Sequence, residues 1–77
     1  MTTVRYFAAA EEAAGVASET RSETTLDALR DALVADHAGL GAILPRCAVL
    51  VDGARHDDDL PLTGSETIDI LPPFAGG

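Results

Sequence analysis

Apolar and polar positions alternate from the first residues. In Thr2-Thr3-Val4-Arg5-Tyr6-Phe7-Ala8 β-favouring types recur with a period of two, which predicts a strand. Alternation puts Val4 and Tyr6 on one face and Arg5 and Phe7 on the other. Ala9 to Ala14 predicts a short helical turn, with Gly15 as its stop. Val16 to Arg21 is polar and weakly patterned; it reads as the second strand of a hairpin whose outer face carries Glu19 and Arg21. The period then changes, and Leu26, Leu29, Leu33 and Val34 recur at helical spacing. Thr24 and Asp27 make a capping-box-like start, with Asp in place of the usual Glu. Asp27 falls in the first turn and His37 in the last, where the helix dipole favours a negative and a positive charge respectively. Gly39 offers the stop, and Leu40 to Leu44 predicts another short turn before Pro45.

Cys47-Ala48-Val49-Leu50-Val51 is a compact apolar run and reads as a buried strand. Asp52-Gly53 is a tight-turn signal, so Ala54 to His56 should return as a short partner strand. Asp57-Asp58-Asp59 reads as a solvated loop, and Leu60 to Gly64 as an irregular connection with apolar anchors. Thr67 to Leu71 is the last strand, with Ile68 and Ile70 facing one way. The order strand, strand, helix, strand, strand, strand predicts an α+β domain, one main helix laid over a sheet of about five strands.

Composition narrows the function classes. A chain of 77 residues is one domain at most. Its single cysteine excludes an internal disulfide and suits a reducing, cytoplasmic setting. No run of 18 apolar residues is present, so no membrane span is expected. Thirteen acidic residues oppose five arginines, with no lysine, for a net charge of −8. That sign disfavours nucleic acid and anionic membrane surfaces, and would steer the protein towards a basic partner or simply keep it soluble.

No zinc-ligand spacing, phosphate loop or nucleophilic triad is visible, and no metal is expected. His37 fits a role at the helix end better than acid–base work. His56 and Asp57-Asp58-Asp59 fit a solvated hairpin and loop better than a metal site, since calcium ligands are spaced alternately. Cys47, at the head of an apolar strand, fits a small buried hydrophobe better than a nucleophile.

The end of the chain is different. With glycine near 7% of residues, a final Gly-Gly arises by chance in roughly 0.5% of chains. Here it follows a strand that runs directly into Pro72-Pro73, which cannot continue a ladder and hold an extended course. Phe74 offers one apolar anchor, and Ala75, Gly76 and Gly77 have almost no bulk. Such a tail can thread a narrow channel. Its reactive atoms would be the Gly77 carboxylate, a poor electrophile until activated, for instance by adenylation on a partner that supplies charge neutralisation.

These segments together resemble the MoaD/ThiS family of sulfur carriers. The matching residues are Val4-Arg5-Tyr6-Phe7-Ala8, Thr25-Leu26-Asp27-Ala28-Leu29, Ala48-Val49-Leu50-Val51-Asp52-Gly53, Leu62-Thr63-Gly64-Ser65-Glu66 and Ile68-Asp69-Ile70-Leu71-Pro72-Pro73-Phe74-Ala75-Gly76-Gly77. The double proline is similar to the MoaD branch, the small subunits of molybdopterin synthase. The resemblance implies a ubiquitin-like β-grasp domain over residues 1–71 and an extended tail over residues 72–77. It implies that an E1-like adenylating enzyme of the MoeB type, using ATP and magnesium, activates Gly77. A sulfur donor then makes a thiocarboxylate, and the large synthase subunit (MoaE type) consumes it in building molybdopterin. The chain itself would be no catalyst and would hold no permanent cofactor. Gly77 and Gly76 would form the reactive end; Phe7, Leu71, Pro72, Pro73, Phe74 and Ala75 would meet partners. Sulfur delivery to thiamine or cysteine synthesis, or conjugation to proteins through Gly77, would use the same activated end. Arg55 and the acidic run Asp57-Asp58-Asp59 depart from the family pattern at the hairpin.

Overall fold

Strand β1 (Thr2–Tyr6) and strand β2 (Ser18–Arg21) form the expected antiparallel hairpin, with helix α1 (Ala9–Ala14) between them, in a computed structural model that describes residues 1–73. Thr2, Val4 and Tyr6 are buried, whereas Arg5 and Phe7 are exposed, as the alternation requires. Gly15 ends α1 in the left-handed region at φ 78°, where glycine carries no Cβ penalty.

Helix α2 (Leu26–Asp36) buries Leu26, Leu29 and Leu33, each worth about 1.5–3 kcal/mol relative to exposure. Its fourth expected apolar contact, Val34, is 38% exposed. The cap lies one residue later than expected: Thr25 Oγ1, not Thr24, accepts from the Ala28 amide at 3.1 Å. Thr24 instead offers its carbonyl to the Leu62 amide, which draws the connection before the last strand against the helix start. Asp59 is exposed, as a solvated loop requires, and also accepts from the Asp27 amide at 2.8 Å. Two of the amides that a helix start leaves orphaned are thereby satisfied. At the other end His37 is the cap residue rather than a member of the last turn, so α2 stops at Asp36, three residues before Gly39.

Two 3₁₀ turns, Ala38–Ala42 and Leu44–Arg46, carry the chain beneath the helix, and Leu40 and Leu44 enter the core. Strand β3 (Ala48–Val51) follows, then the tight turn with Asp52 at φ 50° and Gly53 at φ 87°. Two successive positive φ values match the hairpin turn that Asp-Gly favours. Strand β4 (Ala54–Arg55) is short, and strand β5 (Thr67–Leu71) completes the sheet. The strand order is β2-β1-β5-β3-β4, with β1 and β5 parallel and the other neighbours antiparallel.

The reading of β2 needs correction. Glu19 pairs with Val4 and Arg21 with Thr2, so both face the helix side rather than outwards. Polar residues are tolerated there because β2 is an edge strand beside the end of α2. Glu19 accepts from the Tyr6 hydroxyl at 2.5 Å and lies 2.6 Å from His37 Nε2; Arg21 bonds Glu23 and Asp36 at 3.0 and 2.7 Å. Burial and the Glu19 carboxylate together push the Tyr6 hydroxyl pKa well up. Burial acts against ionised Glu19, but the bonds from Tyr6, His37 and Arg21 outweigh it and hold its pKa below the usual value. His37 is thus tied to a carboxylate across the core edge, which its helix-dipole role did not foresee.

Candidate partner-docking face

α2 covers one face of the sheet; the other face is open. Strand pleating sends Arg5 and Phe7 from the β1 segment, Asp69 and Leu71 from β5, and Ala48 and Leu50 from β3 to this open side. Because β1 and β5 are parallel, they finish at the same end of the sheet. The Phe7 amide continues their ladder by donating to Ile70 at 3.2 Å, which brings Phe7 beside Leu71. On the other side, Leu71 pairs with Ala48. The chain therefore leaves β5 from the middle of the sheet, between Phe7 and Ala48.

Next to this apolar end lies an ion pair. Arg5 grips Asp69 through both nitrogens, Nε to Oδ1 at 2.6 Å and Nη2 to Oδ2 at 2.9 Å. Arg5 and Asp69 are direct register partners on adjacent strands, so the pair fixes the side chains as well as the register. The Arg5 side chain is 52% exposed and Asp69 only 12%. The guanidinium carbon also stands 5.9 Å from the Phe7 ring centroid, within cation–π range. Phe7 is 40% exposed and keeps a fixed place against Arg5. A flat apolar end with one oriented charge can receive a partner surface without ordering new side chains.

Of the residues expected to meet partners, Phe7 and Leu71 lie side by side on this face. Pro72 is half-buried and Pro73 exposed, directly beyond the last strand. Phe74, Ala75, Gly76 and Gly77 lie outside the described residues. Arg5, Leu50 and Asp69 share the face but were not singled out from sequence. Parity along each strand was available for all three, since Asp69 stands between two core isoleucines. The missing signal was the β1–β5 pairing, which joins residues 64 apart in the chain.

Cys47 is buried and donates its thiol to the Ile43 carbonyl at 3.3 Å, and burial pushes its pKa up. It behaves as the inert core residue its apolar context predicts. No helix among the described residues is long and apolar enough to cross a membrane.

A family model described as the ThiS family matches residues 4–77. Comparison with curated proteins gives no match. Solved structures share the fold. SAMP1 from Haloferax volcanii has a TM-score of 0.79 at 22% identity, over 99% of this chain and 98% of that one. The HVO 2177 protein of the same organism has a TM-score of 0.77 at 27% identity, over 99% and 85%. A protein–protein complex of subunits 1 and 2 of the molybdopterin-converting factor from Helicobacter pylori has a chain with a TM-score of 0.76 at 27% identity, over 99% and 97%. The sheet order, the covering helix and these neighbours define a ubiquitin-like β-grasp fold.

Proposed function

The chain belongs to the ThiS family, small ubiquitin-like carriers of sulfur, and from that premise we propose that it carries sulfur for molybdopterin synthesis on the carboxylate of Gly77. The observation that carries this reading is the exit of the chain from the central strand, between Phe7 and Ala48 on an open sheet face, into Pro72-Pro73. A partner that docks on the face receives the following residues at a fixed place. In this reading residues 1–71 are the rigid body and residues 72–77 the delivered tail. Phe7, Leu71, Pro72, Pro73, Phe74 and Ala75 form the contact, and Gly76 and Gly77 enter the partner's site.

The chemistry follows from the weak electrophilicity of a carboxylate. An E1-like enzyme of the MoeB type, with ATP and magnesium, joins the Gly77 carboxylate to AMP and releases pyrophosphate. Sulfide released by a donor then attacks the acyl carbon; a carbon–sulfur bond forms, AMP leaves, and the product is the thiocarboxylate. The thiocarboxylate passes to a large synthase subunit of the MoaE type. The neighbouring Helicobacter pylori structure is a complex of two subunits, which supports a heteromeric assembly of this kind.

The test uses the thiocarboxylate form of the whole chain, mixed with the large synthase subunit and the cyclic pyranopterin precursor. Appearance of the dithiolene, with Gly77 returned to a carboxylate, is expected. Absence of dithiolene, with isopeptide adducts formed through Gly77 when ATP, activating enzyme and lysine-bearing proteins are present, would replace this reading with protein modification.

A further inference from the structure

A groove of about 470 Å³ opens between α2, the turn Leu44–Arg46 and the β3–β4 edge. Its apolar wall is Val34, Leu44 and Val49, and its rim carries Arg30, Arg46 and Arg55. The volume falls within the range of about 300–1,000 Å³ usual for binding clefts. Val34 keeps the apolar spacing of α2 and packs beside Gly41, yet is 38% exposed.

Charge distribution sets this place apart. Only five arginines stand against thirteen acidic residues, and three of the five converge here, with Asp31 and Asp57 on the same rim. The other two are committed elsewhere, Arg5 to Asp69 and Arg21 to Glu19, Glu23 and Asp36. The rim arginines are held to different degrees. Arg30 donates to the His56 carbonyl at 3.0 Å and is tethered. Arg55 meets Asp57 at 3.1 Å, with 62% and 76% of the two side chains exposed. Such an exposed pair contributes little, so an incoming carboxylate can take the place of Asp57. Arg46 is exposed and forms no ion pair with the other described residues.

We propose that this groove docks an acidic–aliphatic segment of a partner protein. One carboxylate meets Arg46 and Arg55, and the neighbouring aliphatic side chain lies against Val34, Leu44 and Val49. The planar guanidinium fork suits a carboxylate bidentately. A net charge of −8 disfavours acidic segments in general, so the gathered arginines favour this place and orient the partner. The site also adjoins the sheet: Arg55 pairs with Leu50 of the open face, so a partner seated on that face can pass a segment around the short β4 edge. The proposal is independent of any reaction at Gly77.

The experiment titrates the isotope-labelled full chain with a blocked peptide of alternating glutamate and leucine, and separately with its lysine-for-glutamate counterpart. Saturable amide shifts at Val34, Arg46, Cys47, Val49 and Arg55 are expected with the acidic peptide alone. The Arg46→Glu/Arg55→Glu variant should keep a native spectrum, since both side chains are exposed, and lose about tenfold or more in affinity, as for one charge-assisted contact. The milder Arg46→Gln/Arg55→Gln variant should lie between. The proposal is overturned if no saturable shift appears, if shifts centre on Phe7 and Leu71, if the basic peptide binds equally, or if charge reversal leaves affinity unchanged in a folded variant.

Discussion

Strand alternation leaves Phe7 exposed, and the residue after it has an unusual backbone conformation. Ala8 has φ 51° and ψ −124°, a region that L-residues with a Cβ resist. Strain of this kind next to an exposed aromatic suits a residue held for a partner. Ala8→Gly should raise stability by about 1 kcal/mol, read as a higher urea midpoint at unchanged slope. Phe7→Ala should weaken docking to the large synthase subunit by about 2 kcal/mol or more in calorimetric titration. The same change should alter the urea midpoint little, since the ring is already 40% exposed. Glu66 carries a different prediction. Its carboxylate accepts from the amides of Thr63 and Gly64 at 2.8 and 3.0 Å and from the Thr63 hydroxyl at 3.0 Å. Led by the Thr63 amide bond, these contacts outweigh a smaller opposing effect of burial and lower its pKa from 4.5 to about 2. A carboxyl depressed in the folded state stabilises fully above its unfolded value and loses that contribution as pH falls towards the folded one. Glu66→Gln should therefore be less stable at neutral pH and show a shallower loss between pH 4.5 and about 2, followed by equilibrium unfolding. None of this was legible in Leu62-Thr63-Gly64-Ser65-Glu66, because a loop carboxylate looks solvated until the amides around it are placed.

Elements were easier to read than their junctions. The helical period of Leu26, Leu29 and Leu33 and the tight turn at Asp52-Gly53 each rest on a few adjacent residues, so local pattern was sufficient. The cap of α2 was displaced by one residue because Thr24 and Thr25 offer the same hydroxyl, and only the Thr24–Leu62 backbone bond selects between them. Asp59 was read as loop because its partner amide, at Asp27, is 32 positions away. Both caps should now be measurable: Thr25→Ala and Asp59→Ala should each cost about 1 kcal/mol by thermal or urea unfolding. Their effects should nearly add, since the two oxygens satisfy different amides. Thr24→Ala should cost less, since its hydroxyl does not cap the helix. β2 shows the opposite failure. Its polar residues looked outward, yet the edge position lets Glu19 and Arg21 face inward and bond to Tyr6, His37 and Asp36.

At the scale of the whole molecule, topology decides where the last strand lies. The central strand is the last one, so the chain leaves the sheet between two neighbouring strands rather than from a sheet edge. Phe7 and Leu71 become neighbours only because the first and last strands run parallel. Local pattern placed each residue on a strand face, but this long-range pairing entered only through the family resemblance. A net charge of −8 with three arginines gathered at one groove adds a second polarity to the surface. The central claim is that Gly77 is the acyl end on which sulfur is carried. The direct measurement is the intact mass of the protein after incubation with its activating enzyme, ATP, magnesium and a sulfur donor, beside a chain lacking Gly77. The account predicts the gain of one sulfur-for-oxygen exchange, placed on the terminal residue by fragmentation and absent from the shortened chain. An unchanged mass under conditions where a control carrier of the family is converted would contradict it.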